Sequence, residues 1–383
     1  MGGRPVTTEY PPGFVPPLWC VDRPEPIGWG IVGPGTIAGV FAEALARSGA
    51  GTVERVFGRS RARGEAFCEL HGGRYVETMD DLLNDEAVRA VYVSTPHPTH
   101  AAVAAAAMVA GRAVLCEKPM TTSPDETERL IGLSRRQGVP LVEAWMYRTH
   151  PQIARLAELI RSGEIGCVRA VRSVFGFPNP AGPPERLLDP ALGGGVIYDI
   201  GGYPLTLAMI ACRTSRGTHW CTPRLLSASG EVSERGVGGR GGVDLHAEAE
   251  FELCDQVRAS VAVSLTRPLG VSAVVEGERG TISLPNPFLP EGRRDGRVGE
   301  VVIESGGQKR TERLVSPHCC FALEAIATAQ MLARGEIEPG GSMVNHAESL
   351  ALARTMALWR RGILGDPGNS TPARPGDARA RTP

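Results

Sequence analysis

A lysine just past the end of a buried strand can hold a reacting oxygen or trade a proton with its neighbours. The run Val114-Leu115-Cys116-Glu117-Lys118-Pro119-Met120 has this form: an apolar segment, two charges, then a proline that forbids further ladder pairing. Open α/β sheets place ligands at such strand ends. A second polar pair follows in Gly193-Gly194-Gly195-Val196-Ile197-Tyr198-Asp199-Ile200-Gly201-Gly202-Tyr203-Pro204. If this stretch is helical, Asp199 and Tyr203 share one face and can meet one substrate, while Tyr198 faces away. Cys116 has no base beside it and reads as core.

Lys118 needs a sheet to carry it, and the flanking sequence supplies one. Ile27 to Val32 reads as a strand, Gly33-Pro34-Gly35-Thr36-Ile37-Ala38 as a glycine turn, and Val40 to Ala46 as a helix. Strand, turn and helix in that order give a G-x-G-x-x-A match its meaning as a dinucleotide cradle, with the pyrophosphate at the helix N-terminus. Strands are expected again at Thr52–Phe57, Tyr75–Val76, Val88–Val93 and Leu141–Trp145, with helices between them, which makes one doubly wound domain. The second strand ends in Gly58-Arg59-Ser60-Arg61-Ala62-Arg63, with no acid there to take the ribose hydroxyls; Glu54 lies at the wrong end. Arg59, Ser60 and Arg63 suit a 2′-phosphate instead, which favours NADP over NAD, although at least one arginine of the run is expected to be a solvated helix-start charge.

The fourth strand runs into Ser94-Thr95-Pro96-His97-Pro98-Thr99-His100. Two prolines force a loop over the cofactor, where Thr95, Pro96 and His97 border the nicotinamide pocket and His100 lines the next helix. That helix, rich in alanine, is apolar all round and is expected to be buried. No ligand set at metal spacing accompanies the histidines, so no metal is expected.

The whole composition agrees with a small-molecule protein. The 383 residues exceed one ordinary core, and 41 Lys plus Arg nearly cancel 42 Asp plus Glu. No charge field points to nucleic acid. Nine cysteines without a C-x-x-C pair suggest reduced thiols rather than a disulfide framework, and neither a signal peptide nor a membrane-length apolar run is evident; a cytoplasmic protein is expected. Residues 1–25 and 364–383, rich in Pro, Gly and Arg, read as a flexible extension and a disordered tail. Between them lie a dinucleotide-binding domain at 26–146 and a second domain at 147–363. In the latter, after a helix at Pro151–Ser162, short alternating strands dominate: 167–177, 225–232, 243–253, 256–265, 271–277 and 281–284, with 301–314 adding an edge. Helices follow at 320–333 and 346–361.

The glycine turn, Thr95-Pro96-x-x-x-His100, Glu117-Lys118-Pro119 and Glu143-Ala144-Trp145-Met146-Tyr147-Arg148-Thr149-His150-Pro151 occur in that order. In this ordered set the chain resembles the Gfo/Idh/MocA oxidoreductases, nearest to the branch with dihydrodiol dehydrogenase and NADP-dependent D-xylose dehydrogenase. The resemblance implies a Rossmann domain joined to an α+β domain with an open, mainly antiparallel sheet that carries the substrate pocket and often a dimer contact, and a final helix that returns to the first domain. It implies Lys118, Tyr203 and Asp199 as catalytic residues, Glu117 and Lys118 beside the cofactor, and Trp145, Tyr147 and Arg148 around the substrate, unless Arg148 bridges the domains.

The chemistry implied is hydride transfer between nicotinamide and a CH–OH or C=O carbon of a sugar, polyol or dihydrodiol. A free tyrosine titrates near ~10, so an ammonium at Lys118 is expected to lower Tyr203 into the working range. The alternatives carried are a noncatalytic NAD(P)-binding regulator and an NAD-dependent glycosidase. A homo-oligomer, dimer or tetramer, is expected.

Overall fold

Short apolar strands joined by crossover helices can pair only in parallel. The computed structural model, which describes residues 16–17, 25–178, 182–217, 222–234 and 241–365, has six of them. They are β1 (Ile27–Val32), β2 (Gly51–Phe57), β3 (Arg74–Tyr75), β4 (Ala90–Val93), β5 (Ala113–Glu117) and β6 (Leu141–Ala144), in the order β3-β2-β1-β4-β5-β6. Every pairing is parallel, and the winding reverses between β1 and β4. The crevice for a ligand opens at that switch point, above the carboxyl ends of β1, β4 and β5. Most of the expected N-terminal extension, with Phe14 and Trp19, the C-terminal tail from residue 366, and residues 179–181, 218–221 and 235–240 lie outside the described residues.

Helices α1 (Thr36–Ser48), α2 (Arg61–His71), α3 (Met79–Leu83), α4 (His100–Val109) and α5 (Pro124–Gln137) connect the strands. Ser123 caps α5 ahead of Pro124, as expected, by accepting the Glu126 N–H. Helix α4 departs from expectation. His100, Ala104, Ala107 and Met108 are buried, whereas Val109 is 65% exposed: an all-apolar composition without a hydrophobic stripe does not say how many faces are covered.

The second sheet comprises β7 (Val168–Gly176), β8 (Arg224–Val232), β9 (Asp244–Glu252), β10 (Arg258–Ser264), β11 (Gly270–Gly277), β12 (Gly280–Pro285), β13 (Val298–Ser305) and β14 (Gln308–Val315). Its order is β14-β13-β12-β11-β7-β10-β9-β8. All neighbours are antiparallel except β7 and β10. The single edge expected at 301–314 is two strands. Gly306 and Gly307, both at positive φ, turn the chain tightly between β13 and β14.

One face of this sheet is covered by α6 (Pro151–Arg161) and by the helix that grows out of the glycine run. That helix starts as one π turn over Ile197–Gly201 and continues as α8 (Gly202–Arg216), after the short rim helix α7 (Glu185–Leu188). Pro204 has no N–H for the Ile200 carbonyl, which is where the wide turn relaxes the ladder. The stretch from Pro190 to Arg216 is long and apolar enough to cross a membrane by composition alone, but 89% of its apolar window is buried against the sheet. Gly202 lets α8 pack this closely, because a Cβ there would lie 2.1 Å from the Trp145 ring.

The last two helices tie the domains together. Helix α9 (Cys320–Arg334) lays Ala325, Ile326 and Met331 against Phe41, Tyr92 and Leu115 of the first domain. Helix α10 (His346–Leu364) gives Ser349 Oγ to Glu143 of β6 at 2.6 Å and Trp359 Nε1 to the Glu248 carbonyl of β9 at 3.3 Å. The return to the first domain implied by the resemblance is therefore present. Among the described cysteines, Cys68, Cys116, Cys167 and Cys319 are thiols, but Cys254 is disulfide-bonded, which corrects the expectation of wholly reduced thiols. Absence of C-x-x-C spacing excludes a local pair and says nothing of a bridge between distant segments.

Candidate active site

Strand β5 ends in Glu117, and the chain around it is held from four sides. Glu117 accepts the Tyr92 hydroxyl at 2.6 Å and the Lys118 N–H at 3.1 Å. The Lys118–Pro119 peptide is cis, the Pro119 carbonyl lies 3.0 Å from His100 Nδ1, and the Met120 N–H donates to Glu143 at 2.8 Å. So anchored, the half-buried Lys118 side chain leaves the first domain and meets the second. Its Nζ lies 3.6 Å from Asp199 Oδ1, donates to the Asp199 carbonyl, and sits 5.3 Å from the centre of the Tyr203 ring. Residues 81 and 85 positions apart in sequence are thereby joined around one ammonium.

The glycine run sets the Asp199–Tyr203 turn against β9. Gly195 has φ of 112°, and a Cβ there would lie 2.3 Å from Asp244 Oδ1. The close approach lets Asp244 accept the Ile197 N–H at 2.7 Å, while Arg360 of α10 donates to the same carboxylate at 3.1 Å. Tyr198 faces away, as expected, with its hydroxyl on the Thr122 carbonyl at 3.1 Å. The rim residue Arg186 donates to Asp199 Oδ1 at 3.4 Å, so this carboxylate stands between two cations. Burial alone pushes the Asp199 carboxyl up, but Lys118, Arg186 and His97 together hold it below the usual carboxylate range.

Tyr203 is walled by aromatic rings: Trp145 at 5.0 Å, Phe175 at 5.1 Å, Phe288 at 5.4 Å and Tyr147 at 5.6 Å between centroids. Burial, reinforced by the charges of Glu117 and Asp199, pushes its phenol well above the ordinary value. The expectation that Lys118 lowers it is corrected. The ammonium lies over the ring, 5.3 Å from its centre, and its charge is balanced by Asp199.

Trp145 is thus a packing wall of the site. Tyr147 and Arg148 do not face the cleft. The Tyr147 hydroxyl meets Thr206 Oγ1 at 2.7 Å inside the core. Arg148, 1% exposed, gives its donors to Glu348, Ser342 and Thr206, all within the second domain, so its guanidinium ties that domain's interior together and, among the described residues, makes no hydrogen bond across to the first. His97 Nδ1 donates to the Gly193 carbonyl at 3.1 Å, and burial, with His100 and Lys118 nearby, lowers its pKa to about 3; His100 Nε2 lies 2.7 Å from the Thr95 carbonyl. The two histidines brace the loop at 95–100 against its neighbours.

The cofactor cradle has the form its residues suggest. Gly33, at φ of 95°, packs so close to Ser94 that a Cβ would lie 2.8 Å from its carbonyl oxygen, whereas a Cβ on Gly35 would meet nothing nearer than 4.0 Å. Gly35 precedes α1 without a side-chain cap, which leaves the N–H groups of Thr36, Ile37 and Ala38 at an open helix start. At the end of β2, Ser60 caps α2 by accepting the Arg63 N–H, and Arg61 is engaged by Glu65 and Glu77. Arg59 is exposed and, among the described residues, has no carboxylate partner. These residues fit a dinucleotide with its adenosine end over β2.

Residues 27–144 match the model of an oxidoreductase family with an NAD-binding Rossmann fold, and residues 153–283 match that of the GFO/IDH/MocA C-terminal domain. The mouse trans-1,2-dihydrobenzene-1,2-diol dehydrogenase is 30% identical over 68% of this chain and 75% of its own length. A Rhizobium meliloti oxidoreductase, 32% identical, spans 69% of the chain and 76% of itself. The chain belongs to the Gfo/Idh/MocA oxidoreductase family. It is an NAD(P)-dependent oxidoreductase. The 3-ketoreductase KijD10 from Actinomadura kijaniata, solved with NADP and TDP-benzene, superposes with a TM-score of 0.75 at 28% identity, over 88% of this chain and 98% of its own.

Asp244, Arg360, Arg186 and Glu324 were not singled out from sequence. Only the strand start at Val243-Asp244 carried a signal, an acid heading an apolar strand, and it was too weak to stand alone.

Proposed function

We propose that this protein is an NADP(H)-dependent enzyme that interconverts a carbonyl and a secondary alcohol, or an anomeric hydroxyl, on a sugar, polyol or dihydrodiol-like substrate. Bound nicotinamide supplies or accepts the hydride. Tyr203 supplies the proton: its buried phenol stays neutral at physiological pH, which suits a general acid delivering a proton to the nascent alkoxide. Lys118 holds the same oxygen by a charge-assisted hydrogen bond, and Asp199 keeps the ammonium oriented toward it. The convergence of Lys118, Asp199 and Tyr203 from two domains is the observation that carries this reading.

NADP is preferred through Arg59, with Ser60 and Arg63 beside it, because an exposed guanidinium without a partner suits a 2′-phosphate. The substrate class follows the relatives, among them the D-xylose 1-dehydrogenase (NADP+) 2 of Haloferax volcanii, 40% identical over 40% of the chain and 47% of its own length. A homo-oligomer, as the family resemblance implies, and a cytoplasmic setting are part of the proposal.

The test is a panel of aldoses, polyols, dihydrodiols and keto-sugars with NADPH or NADP+, run on wild type and Lys118→Ala. Turnover by wild type that is lost in the variant, while NADPH still binds, supports the reading; NADPH binding with no turnover on any member speaks for a regulator.

A further inference from the structure

One buried carboxyl next to the site has no task in this chemistry. Glu324 of α9 is 1% exposed, and its Oε1 has no hydrogen-bond partner. Its buried neighbour Glu117 is served by two donors, the Tyr92 hydroxyl and the Lys118 N–H. The groups whose charges reach Glu324 or feel it come from every side: Tyr92 from β4, Glu117 from β5, Tyr203 from α8 and Cys319 from the start of α9 itself. The nearby cation Arg148, in the adjoining turn, is consumed by Glu348, and on α1 both the cation Arg47 and the acid Glu43 are exposed.

Two buried carboxyls whose charges reach each other cannot both be ionised cheaply, and the carboxyl whose Oε1 has no donor is the one to keep its proton. We propose that Glu324 is a positioning residue that stores one proton beside Glu117, and that loss of this proton at high pH loosens the Lys118 anchor. Ionised Glu324 would repel Glu117 and strain the two hydrogen bonds that fix the end of β5. Burial and the Glu117 charge both push the Glu324 carboxyl well above the usual range, in keeping with a stored proton.

The test uses the full chain with Glu324→Gln, a neutral near-isostere, and Glu324→Asp, which keeps a titrating group. The sign is fixed by linkage: native wild type holds a proton that the unfolded chain has lost above pH ~4.3, so wild-type stability falls as pH rises from there toward the native pKa. The Gln variant should therefore gain in Tm over wild type, and the gain should grow from pH 5 to pH 9. Infrared difference spectra at neutral pH should contain a protonated-carboxyl band that the Gln variant lacks. The catalytic part rests on the proposed function: turnover should fall about tenfold per pH unit beyond an alkaline midpoint in wild type and in Glu324→Asp, and Glu324→Gln should lose that limb. A Tm difference that is flat with pH, or the absence of the infrared band, would overturn the stored proton; an alkaline limb unchanged in Glu324→Gln would overturn the positioning role. Tm and infrared readings need no substrate, so a failed search for turnover leaves them decisive.

Discussion

Lys118 Nζ and Asp199 Oδ1, brought together from two domains, stand 3.6 Å apart with their side chains 14% and 16% exposed. The pair is the electrostatic hinge of the site, because Asp199 absorbs the charge that would otherwise act on Tyr203. Asp199→Asn should therefore free the ammonium to favour the phenolate. The alcohol-oxidation profile should shift to lower pH, and NADPH-dependent reduction should lose activity, read from paired pH profiles of kcat/KM.

Tyr203→Phe removes the proposed proton donor and leaves its aromatic walls intact. Loss of one general acid costs about 10²- to 10⁴-fold, so kcat for reduction should drop in that range while NADPH affinity, measured by fluorescence titration, holds. In wild type, a phenol held above its ordinary value stays protonated at and beyond neutral pH. Reduction should not lose this acid between about pH 6 and about pH 9, and oxidation should climb with pH as the phenolate becomes accessible.

Arg59→Ala tests the coenzyme preference. A hydrogen-bonded charge contact contributes about 1.5–3 kcal/mol, so NADPH affinity should fall roughly 10- to 100-fold while NADH affinity changes little. Equal losses for both coenzymes would show that Arg59 does not read the 2′-phosphate.

Arg148 and Glu348 form a bidentate pair at 2.7 and 3.3 Å in the interior. Removing either partner strands a charge, and Arg148→Ala or Glu348→Ala should cost about 3–5 kcal/mol of stability, with the double variant costing less than the two single losses added. Urea unfolding of the three proteins measures this. If Arg148 instead contacts substrate, KM would rise with stability unchanged.

Gly202→Ala should destabilise by about 1–3 kcal/mol, because the new methyl must displace the Trp145 ring that walls Tyr203. A lower Tm together with a lower kcat would place both effects in one contact.

Much of this was legible in local patterns. Strand, glycine turn and helix at 27–48 identify the cradle, and the proline after Lys118 marks the end of β5, since both depend only on neighbouring residues. The i, i+4 spacing of Asp199 and Tyr203 puts them on one face, and both lie against Lys118. What failed depended on the third dimension. The Tyr203 phenol is set first by burial and then by Glu117, which no spacing connects to it. Tyr147 and Arg148 adjoin Trp145 in sequence but point into the core, because the chain turns through a 3-10 segment at Met146–Thr149. The β13–β14 hairpin was hidden because the polar, charge-rich β14 lacks the apolar alternation by which strands are recognised.

The bond from Ser349 to Glu143 spans 206 positions, and the cover of α9 over Phe41 and Tyr92 comes nearly as late in the chain. A nascent chain leaving the ribosome therefore exposes one apolar side of its first sheet, and the buried acid at the end of that sheet, throughout synthesis of the second domain. Half-made molecules would be sticky, and chaperones would find them by the surface that α9 and α10 conceal at the end.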